Sequence, residues 1–142
     1  MRIVLDTNVL VSGLLNPFGA PGELVRLVAS GALELCYDAR ILCEYRDVLL
    51  RRRFPFDPDY VNGLLETIEA EGGPVSGRPL AEDLPDPTDA PFLEAALAGE
   101  ARCIVTGNVR HYPLRAREGM VVVSPAEFLG IYRREALRPP AG

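Results

Sequence analysis

Three acidic side chains are spaced along the chain where carboxylates could do chemistry. The first, Asp6, follows the apolar run Ile3–Leu5, which is typical of a strand buried on both faces of a parallel sheet. The carboxyl ends of such strands form the crevice in which open α/β sheets bind ligands. Alone, Asp6 is equally well explained as a turn or capping residue. Its interpretation depends on whether other acids converge on it.

The second acid, Glu44, lies on the inward side of a predicted helix that Asp38 caps and that ends near Arg52. Helical spacing puts Glu44 between Ile41 and Val48, within the apolar stripe. A glutamate whose stem passes the core to reach water is the structural alternative. An inward carboxylate needs a cation, so Glu44 is more informative than Asp6.

The third acid, Asp89, closely follows Asp86 and opens a predicted helix over Ala90–Ala98. Taken singly, Asp89 is better explained as an N-cap than as a ligand, and Thr88 could fill the same capping role. Thr106 and Asn108 follow another predicted strand and repeat the polar exit of the first one. A β-turn explains these two residues equally well.

Convergence of the three acids would change these interpretations together. Two unit charges about 4 Å apart repel by about 4 kcal/mol at an effective dielectric near 20, so clustered carboxylates require a cation or a raised pKa. The chain contains no lysine, and oxygen ligands favour Mg²⁺ or Mn²⁺. Such ions activate water and stabilise the attacking and leaving oxygens of a phosphodiester. The residues therefore favour metal-dependent hydrolysis of phosphodiesters.

Strands and helices alternate along the chain, which predicts a parallel sheet with helices on both faces. The stretch 16–22 is predicted to be a loop, and 74–85 a surface connection, because both are interrupted by Pro and Gly. The predicted strands are 3–5, 33–37, 102–105 and 120–123, and the predicted helices are 9–15, 23–30, 38–52, 59–70, 90–98 and 125–134.

Length and composition bound the possibilities further. The 142 residues predict one domain over 1–135 and a disordered tail over 136–142. The net charge of −5 disfavours a broad basic face, so any contact with nucleic acid should be local. The three widely spaced cysteines, 36, 43 and 103, are predicted to be reduced core thiols. With no apolar run long enough for a membrane span, we expect a cytoplasmic protein.

Four segments, taken in order, resemble the PIN-domain ribonuclease family: LDTNVLVSGLL, ILCEYRDVLLRRRF, DPTDAPFLEAAL and CIVTGNVRHYP. The resemblance covers nearly the whole chain. It implies a three-layer α/β/α sandwich around a parallel sheet of about five strands. It also implies an acidic metal site, with Mg²⁺ or Mn²⁺, and cleavage of single-stranded RNA. The last segment, in which TGN precedes His and Pro, resembles the branch of toxins from toxin–antitoxin pairs.

The resemblance implies that Asp6, Glu44 and Asp89 are the first three acids of this site, as metal ligands and catalytic residues. Asn108 stands where many members have a fourth aspartate, and it is expected to be a weaker, neutral ligand. A second metal ion should then bind less tightly, and activity should be weak or selective. The residues expected to support the site are Asn8, Asp86 and Thr106.

We expect Arg110 to contact substrate phosphates and His111 to be a second RNA-binding residue, and the run Arg51–Arg53 is a further candidate for phosphate contact. A solvated helix end is the better explanation of that run, because cations suit a helix C-terminus. By resemblance the chain is also expected to form a homodimer and to bind a small antitoxin, whose arginine fills the acidic groove.

Three other functions are alternatives to the nuclease at this point. A PIN fold retained for RNA or protein binding, with a weakened metal site, is supported by Asn108. A phosphotransferase with Asp6 as covalent nucleophile is disfavoured, because such enzymes usually carry a catalytic lysine and Asn8 replaces their second aspartate. A nucleotide-binding domain is disfavoured as well, since no glycine-rich phosphate loop follows any strand.

Overall fold

A computed structural model describes residues 1–136 of the chain. Its strands pair in parallel into one five-stranded sheet, and six α-helices flank that sheet. The predicted α/β sandwich around a parallel sheet is therefore confirmed. The strands are β1 (Arg2–Leu5), β2 (Glu34–Tyr37), β3 (Gly73–Pro74), β4 (Ile104–Val105) and β5 (Val122–Val123).

The helices follow the predicted order. Short 3₁₀ turns at Pro87–Asp89, Val109–His111 and Leu114–Ala116 were not predicted, and two of them contribute to the site described below. The α-helices are α1 (Thr7–Leu15), α2 (Ala20–Ala29), α3 (Ala39–Leu49), α4 (Pro58–Glu71), α5 (Ala90–Ala98) and α6 (Pro125–Ala136).

The sheet order β3-β2-β1-β4-β5 puts β1 in the centre. Its residues Ile3, Val4 and Leu5 are completely buried, which explains the uninterrupted apolar run. The chain builds β2 and β3 on one side of β1 and then crosses to build β4 and β5 on the other. The carboxyl ends of β1 and β4 therefore form the switch point of the topology, where open α/β sheets bind ligands.

A buried tyrosine fixes α3 against the central strand. Tyr45 is fully buried, and its hydroxyl donates a hydrogen bond to the carbonyl of Leu5 at 2.5 Å. Asp38 caps the helix by accepting a hydrogen bond from the amide of Ile41 at 3.0 Å. The residue before Tyr45, Glu44, is thereby held near the end of β1.

Several local predictions are wrong. Pro74, predicted as the start of a surface connection, instead pairs with Tyr37 in an edge strand that begins at Gly73, and the missing amide of proline is tolerated there. The helix α3 ends at Leu49, before the predicted end near Arg52. The helix α2 begins at Ala20, three residues earlier than predicted, because a proline fits the first turn of a helix. Cys43 is exposed on α3, whereas the other two cysteines are buried as predicted.

Two helical glycines differ in the space around them, and we expect opposite effects from alanine. In α1, a Cβ on Gly13 would lie 2.5 Å from the carbonyl oxygen of Pro21 and 2.6 Å from Val25, both in α2. Gly13→Ala should lower the free energy of unfolding by about 1–3 kcal/mol. Gly63→Ala in α4 meets open space and should raise it by about 0.5–1 kcal/mol. Urea unfolding measures both, and equal effects would contradict the close α1–α2 packing.

No helix within residues 1–136 is both long and apolar enough to cross a membrane. Of the predicted tail, Ala136 is the last residue of α6, and residues 137–142 lie outside the described part of the chain.

Candidate functional site

Asp6 lies at the switch point of the sheet, directly after β1. Although it occupies the N-cap position of α1, its side chain makes no capping hydrogen bond. Its Oδ2 instead accepts hydrogen bonds from the hydroxyls of Thr106, at 2.9 Å, and Tyr112, at 3.3 Å. The Thr106 contact follows from the register, because Leu5 pairs with Val105 and the next residues are level. Capping of α1 alone therefore does not account for the position of the Asp6 side chain.

Burial controls the charge of Asp6. Desolvation raises the pKa of this carboxyl, and the hydrogen bonds from Thr106 and Tyr112 partly offset the rise. The pKa of Tyr112 is raised by burial, then by the charges of Asp6, Asp89 and Glu44. Its phenol therefore stays protonated and can only donate to Asp6. The charges of all three acids thus act on this one buried phenol.

Glu44 borders the same site from α3. It is half-buried, and one of its carboxylate oxygens accepts a hydrogen bond from the hydroxyl of Thr7, the first residue of α1. The side chain of Thr7 is thus a link between α1 and α3 at the edge of the site. This contact gives Glu44 a fixed orientation rather than that of a glutamate extended into water.

Asp89 ends the 3₁₀ turn that precedes α5. It is only 8% exposed, and it makes no capping hydrogen bond with its side chain. Asp86 is the capping residue here, because its Oδ1 accepts from the amide and hydroxyl of Thr88 at 3.0 and 2.7 Å. Burial, followed by the charges of Asp6 and Asp86, raises the pKa of Asp89 to about 6, and His111 opposes the rise. The Oδ2 of Asp89 is buried without a hydrogen-bond partner in the described chain.

The turn after β4 connects the two buried aspartates. The backbone amide of Asn108 donates to the hydroxyl of Thr106 at 3.1 Å. Across the turn, Asn8 accepts a hydrogen bond from the amide of Gly107 at 3.0 Å. The carboxamide of Asn108 lies with Nδ2 2.7 Å from Nε2 of His111. Asn8 and Thr106 therefore brace the turn that carries Asn108.

His111 stands beside Asp89. Its Nδ1 lies 3.1 Å from Asp89 Oδ2, within ion-pair distance but without the alignment of a hydrogen bond. One ligand atom each from Asp86, Asp89 and His111 lie within 4.8 Å of one another, which is close enough for a shared metal ion. The structure thus places His111 at the acidic site, although the sequence predicted it for RNA binding.

A groove of about 350 Å³ runs alongside Glu44. Arg53 and Phe54 both line it, with the guanidinium carbon of Arg53 4.9 Å from the centre of the Phe54 ring. Phe54 in turn stacks on Phe56 at 5.1 Å. Of the arginines predicted to contact RNA, Arg53 lines this groove. Arg110 is exposed and follows Asn108 by two residues. The other residues lining the groove are Thr7, Asn8, Val11, Ser12 and Val48.

Sequence reasoning missed two residues of the site, Thr7 and Tyr112. Both act through hydroxyl groups on the acids, and both are buried at 6% and 0% exposure. Tyr112 directly follows His111, and Thr7 directly follows Asp6, so adjacency to predicted site residues was the available signal. Nothing in the periodicity distinguishes them from residues of the core.

A family model described as PIN domain matches residues 2–110. The chain belongs to the PIN-domain family. PIN domains are generally nucleases that use divalent metal ions, and the matched range contains Asp6, Glu44, Asp89 and Asn108. It ends one residue before His111. A search of curated proteins returned no match for this PIN domain.

The residues of this PIN domain fit a divalent cation. Asp6 and Asp89 are buried carboxylates with raised pKa values, and the described residues give Oδ2 of Asp89 no hydrogen bond. Positive charge would relieve this unfavourable arrangement. Carboxylate oxygens are the ligands that Mg²⁺ and Mn²⁺ prefer. An acidic site suited to a metal ion therefore lies at the switch point of the sheet.

Proposed function

We propose that this PIN domain is a Mg²⁺- or Mn²⁺-dependent endoribonuclease that cleaves single-stranded RNA. The observation that carries the proposal is the buried pair Asp6 and Asp89 at the switch point, with one Asp89 oxygen that has no hydrogen-bond partner among residues 1–136. Such a pair suits a cation better than it suits either of the capping roles considered for these residues.

Each side chain has a distinct role in this proposal. Asp6 and Asp89 hold the metal, while Glu44, oriented by Thr7, is a further ligand or orients the attacking water. Tyr112 and Thr106 fix the Asp6 carboxylate by donating to its Oδ2. When bound, the ion activates water and neutralises charge on the phosphodiester. Asn108 adds a neutral side chain where a fourth acid would add charge.

The groove beside Glu44 suits single-stranded RNA. An aromatic ring can stack on an unpaired base, and a neighbouring guanidinium can bind a phosphate. Phe54 and Arg53 provide these two groups, although the chain is acidic overall. Contact with RNA is therefore local, and Arg110 at the Asn108 turn is a second phosphate contact in the proposal.

The decisive experiment incubates purified protein with labelled single-stranded RNA in Mn²⁺, in Mg²⁺ and in EDTA. Cleavage in either metal and none in EDTA is the expected result. Matched duplex RNA and single-stranded DNA test the substrate class. Folded protein that cleaves none of these substrates in any metal would overturn the proposal.

We expect Phe54→Ala to raise the KM for single-stranded RNA by roughly 5- to 50-fold with little change in kcat. The reason is that stacking of one base on an aromatic ring contributes about 1–3 kcal/mol. Phe18→Ala is the matched control, because it makes the same change at a position that is 94% exposed and does not line the groove. An unchanged KM in Phe54→Ala would place the RNA elsewhere.

The biological setting is proposed on the family resemblance. In this proposal the protein is a cytoplasmic toxin that forms a homodimer and is inhibited by a cognate antitoxin. Co-expression with a neighbouring gene product that restores growth and co-purifies would support it. Failure of the isolated protein to slow growth on induction would count against a toxin role without affecting the nuclease.

Asn108 favours a second function, that of a non-catalytic PIN fold that binds RNA or protein. Its carboxamide lies against His111 and carries no charge for a second ion. RNA binding that is unaffected by Asp6→Asn, together with no cleavage in Mn²⁺, would favour this function over the nuclease.

A further inference from the structure

We propose that His111 is a nitrogen ligand of the metal ion at Asp89, and that Asn108 orients its imidazole. The inference rests on the proposed metal-dependent function and names an additional ligand, one residue beyond the matched family range. It converts an all-oxygen site into a mixed nitrogen–oxygen site.

The spacing of the donor atoms supports a shared ion. Nδ1 of His111 and Oδ2 of Asp89 are 3.1 Å apart. Two neighbouring ligands at about 2.1 Å from an octahedral ion lie about 3.0 Å apart. Such ligands aim at the ion rather than at each other, about 45° off the line that joins them. Ion-pair distance without hydrogen-bond alignment, as observed here, is the arrangement that this geometry requires.

The other side of the imidazole supports the same role. A histidine ligand usually donates its second ring N–H to an oxygen acceptor, which fixes the tautomer. The carboxamide of Asn108 lies 2.7 Å from Nε2 and can present either its nitrogen or its oxygen by a half-turn of the amide. If the amide oxygen of Asn108 faces the imidazole, Nε2 carries the proton and the lone pair of Nδ1 is free to bind an ion beside Asp89. If the amide nitrogen faces it, Nε2 accepts and the imidazole proton is on Nδ1.

Asp86 completes the donor set. Both hydrogen bonds that it accepts from Thr88 use Oδ1, so Oδ2 stays available to an ion. Its ligand atom lies within 4.8 Å of those of Asp89 and His111. The buried Oδ2 of Asp89, which accepts no hydrogen bond within the described part of the chain, is the group that an ion would stabilise most.

The donor set predicts a metal preference. Imidazole nitrogen suits first-row transition ions, whereas Mg²⁺ prefers oxygen. We therefore expect His111→Gln to weaken Mn²⁺ binding roughly tenfold and to change Mg²⁺ binding less than about twofold. Asp47→Asn, at an exposed position on α3, is the control that should change neither.

The direct test is pulsed EPR of Mn²⁺ bound to the untagged full chain. His111 is the only histidine, so a directly bound imidazole nitrogen can come from no other residue. We expect nitrogen coupling in the wild type, a changed coupling with isotope-labelled histidine, and none in His111→Gln. Bound Mn²⁺ without nitrogen coupling would overturn the histidine ligand and leave the nuclease proposal intact. Persistence of the free-ion signal would overturn both the ligand and the metal site.

Discussion

Asp6→Asn is expected to reduce RNA cleavage at least about 100-fold while leaving the protein, in EDTA, as stable as the wild type or more stable. A metal ion contributes several kcal/mol to the stabilisation of transition-state charge, and each 1.36 kcal/mol corresponds to a tenfold rate. Asparagine keeps an oxygen that accepts from the hydroxyls of Thr106 and Tyr112, but it carries no charge to be desolvated or repelled by Asp89. Initial rates on labelled RNA and thermal unfolding in EDTA measure the two effects.

Asp47→Asn makes the same chemical change at an exposed position of α3 and should leave both quantities unchanged. Undiminished cleavage by Asp6→Asn would remove Asp6 from the site. A large loss of stability alongside the loss of cleavage would make Asp6 a structural residue, whose effect on activity is indirect. Loss of activity without loss of stability is typical of residues that are kept for function although they destabilise the fold.

The architecture was predictable because it follows from local patterns. The apolar run Ile3–Leu5 needs burial on both faces, and the alternation with amphipathic helices leaves a parallel sheet as the solution. The edge strand Gly73–Pro74 was not predictable in this way, because two residues carry no periodicity. Its existence depends on pairing with β2, which is a tertiary property. Likewise, Pro21 and Gly22 indicated a loop locally but lie in the first turn of α2.

The site was predictable only in part, for a different reason. In the sequence, Asp6 and Asp89 could each be explained as a helix cap as well as a metal ligand. The structure favours the ligand role, because neither side chain makes a capping hydrogen bond. Asp86, by contrast, does cap its turn. The contacts made by Tyr112 and His111 depend on the fold of the segment after β4, where two short turns follow each other. No spacing rule for helices or strands applies to such a segment.

The pKa of Asp89 leads to a second large effect, on stability against pH. A carboxyl whose folded-state pKa is raised to about 6 stabilises the fold most when it is protonated. That contribution is complete below the unfolded-state value near 3.9 and is lost as the pH rises through about 6. In EDTA, Asp89→Asn should therefore gain stability over the wild type progressively between pH 4 and pH 7. We expect about 1–2 kcal/mol at pH 8, less than the full shift because the site borders water.

The control for this effect has the opposite sign. Hydrogen bonds from Arg102 lower the pKa of Glu135, so the contribution of this carboxylate is present at high pH and is lost as the pH falls through its folded-state pKa. Glu135→Gln should thus lose stability relative to the wild type at pH 8, where Asp89→Asn gains it. Urea unfolding at pH 4, 5, 6, 7 and 8 measures both differences. A constant difference for Asp89→Asn would contradict a buried, charged Asp89.

Metal ions should reverse the effect at Asp89, because a cation and a proton compete for the same oxygens. At pH 8, a divalent ion at about 100 times its Kd should stabilise the wild type by about 2.7 kcal/mol, which exceeds the cost of the unpaired carboxylate. The same concentration should do much less for Asp89→Asn, and less for the wild type near pH 5, where protons occupy Asp89. Acids that destabilise the metal-free protein but stabilise the metal-bound protein are the pattern expected of metal ligands. Equal metal stabilisation of the two proteins at pH 8 would mean that Asp89 is no ligand.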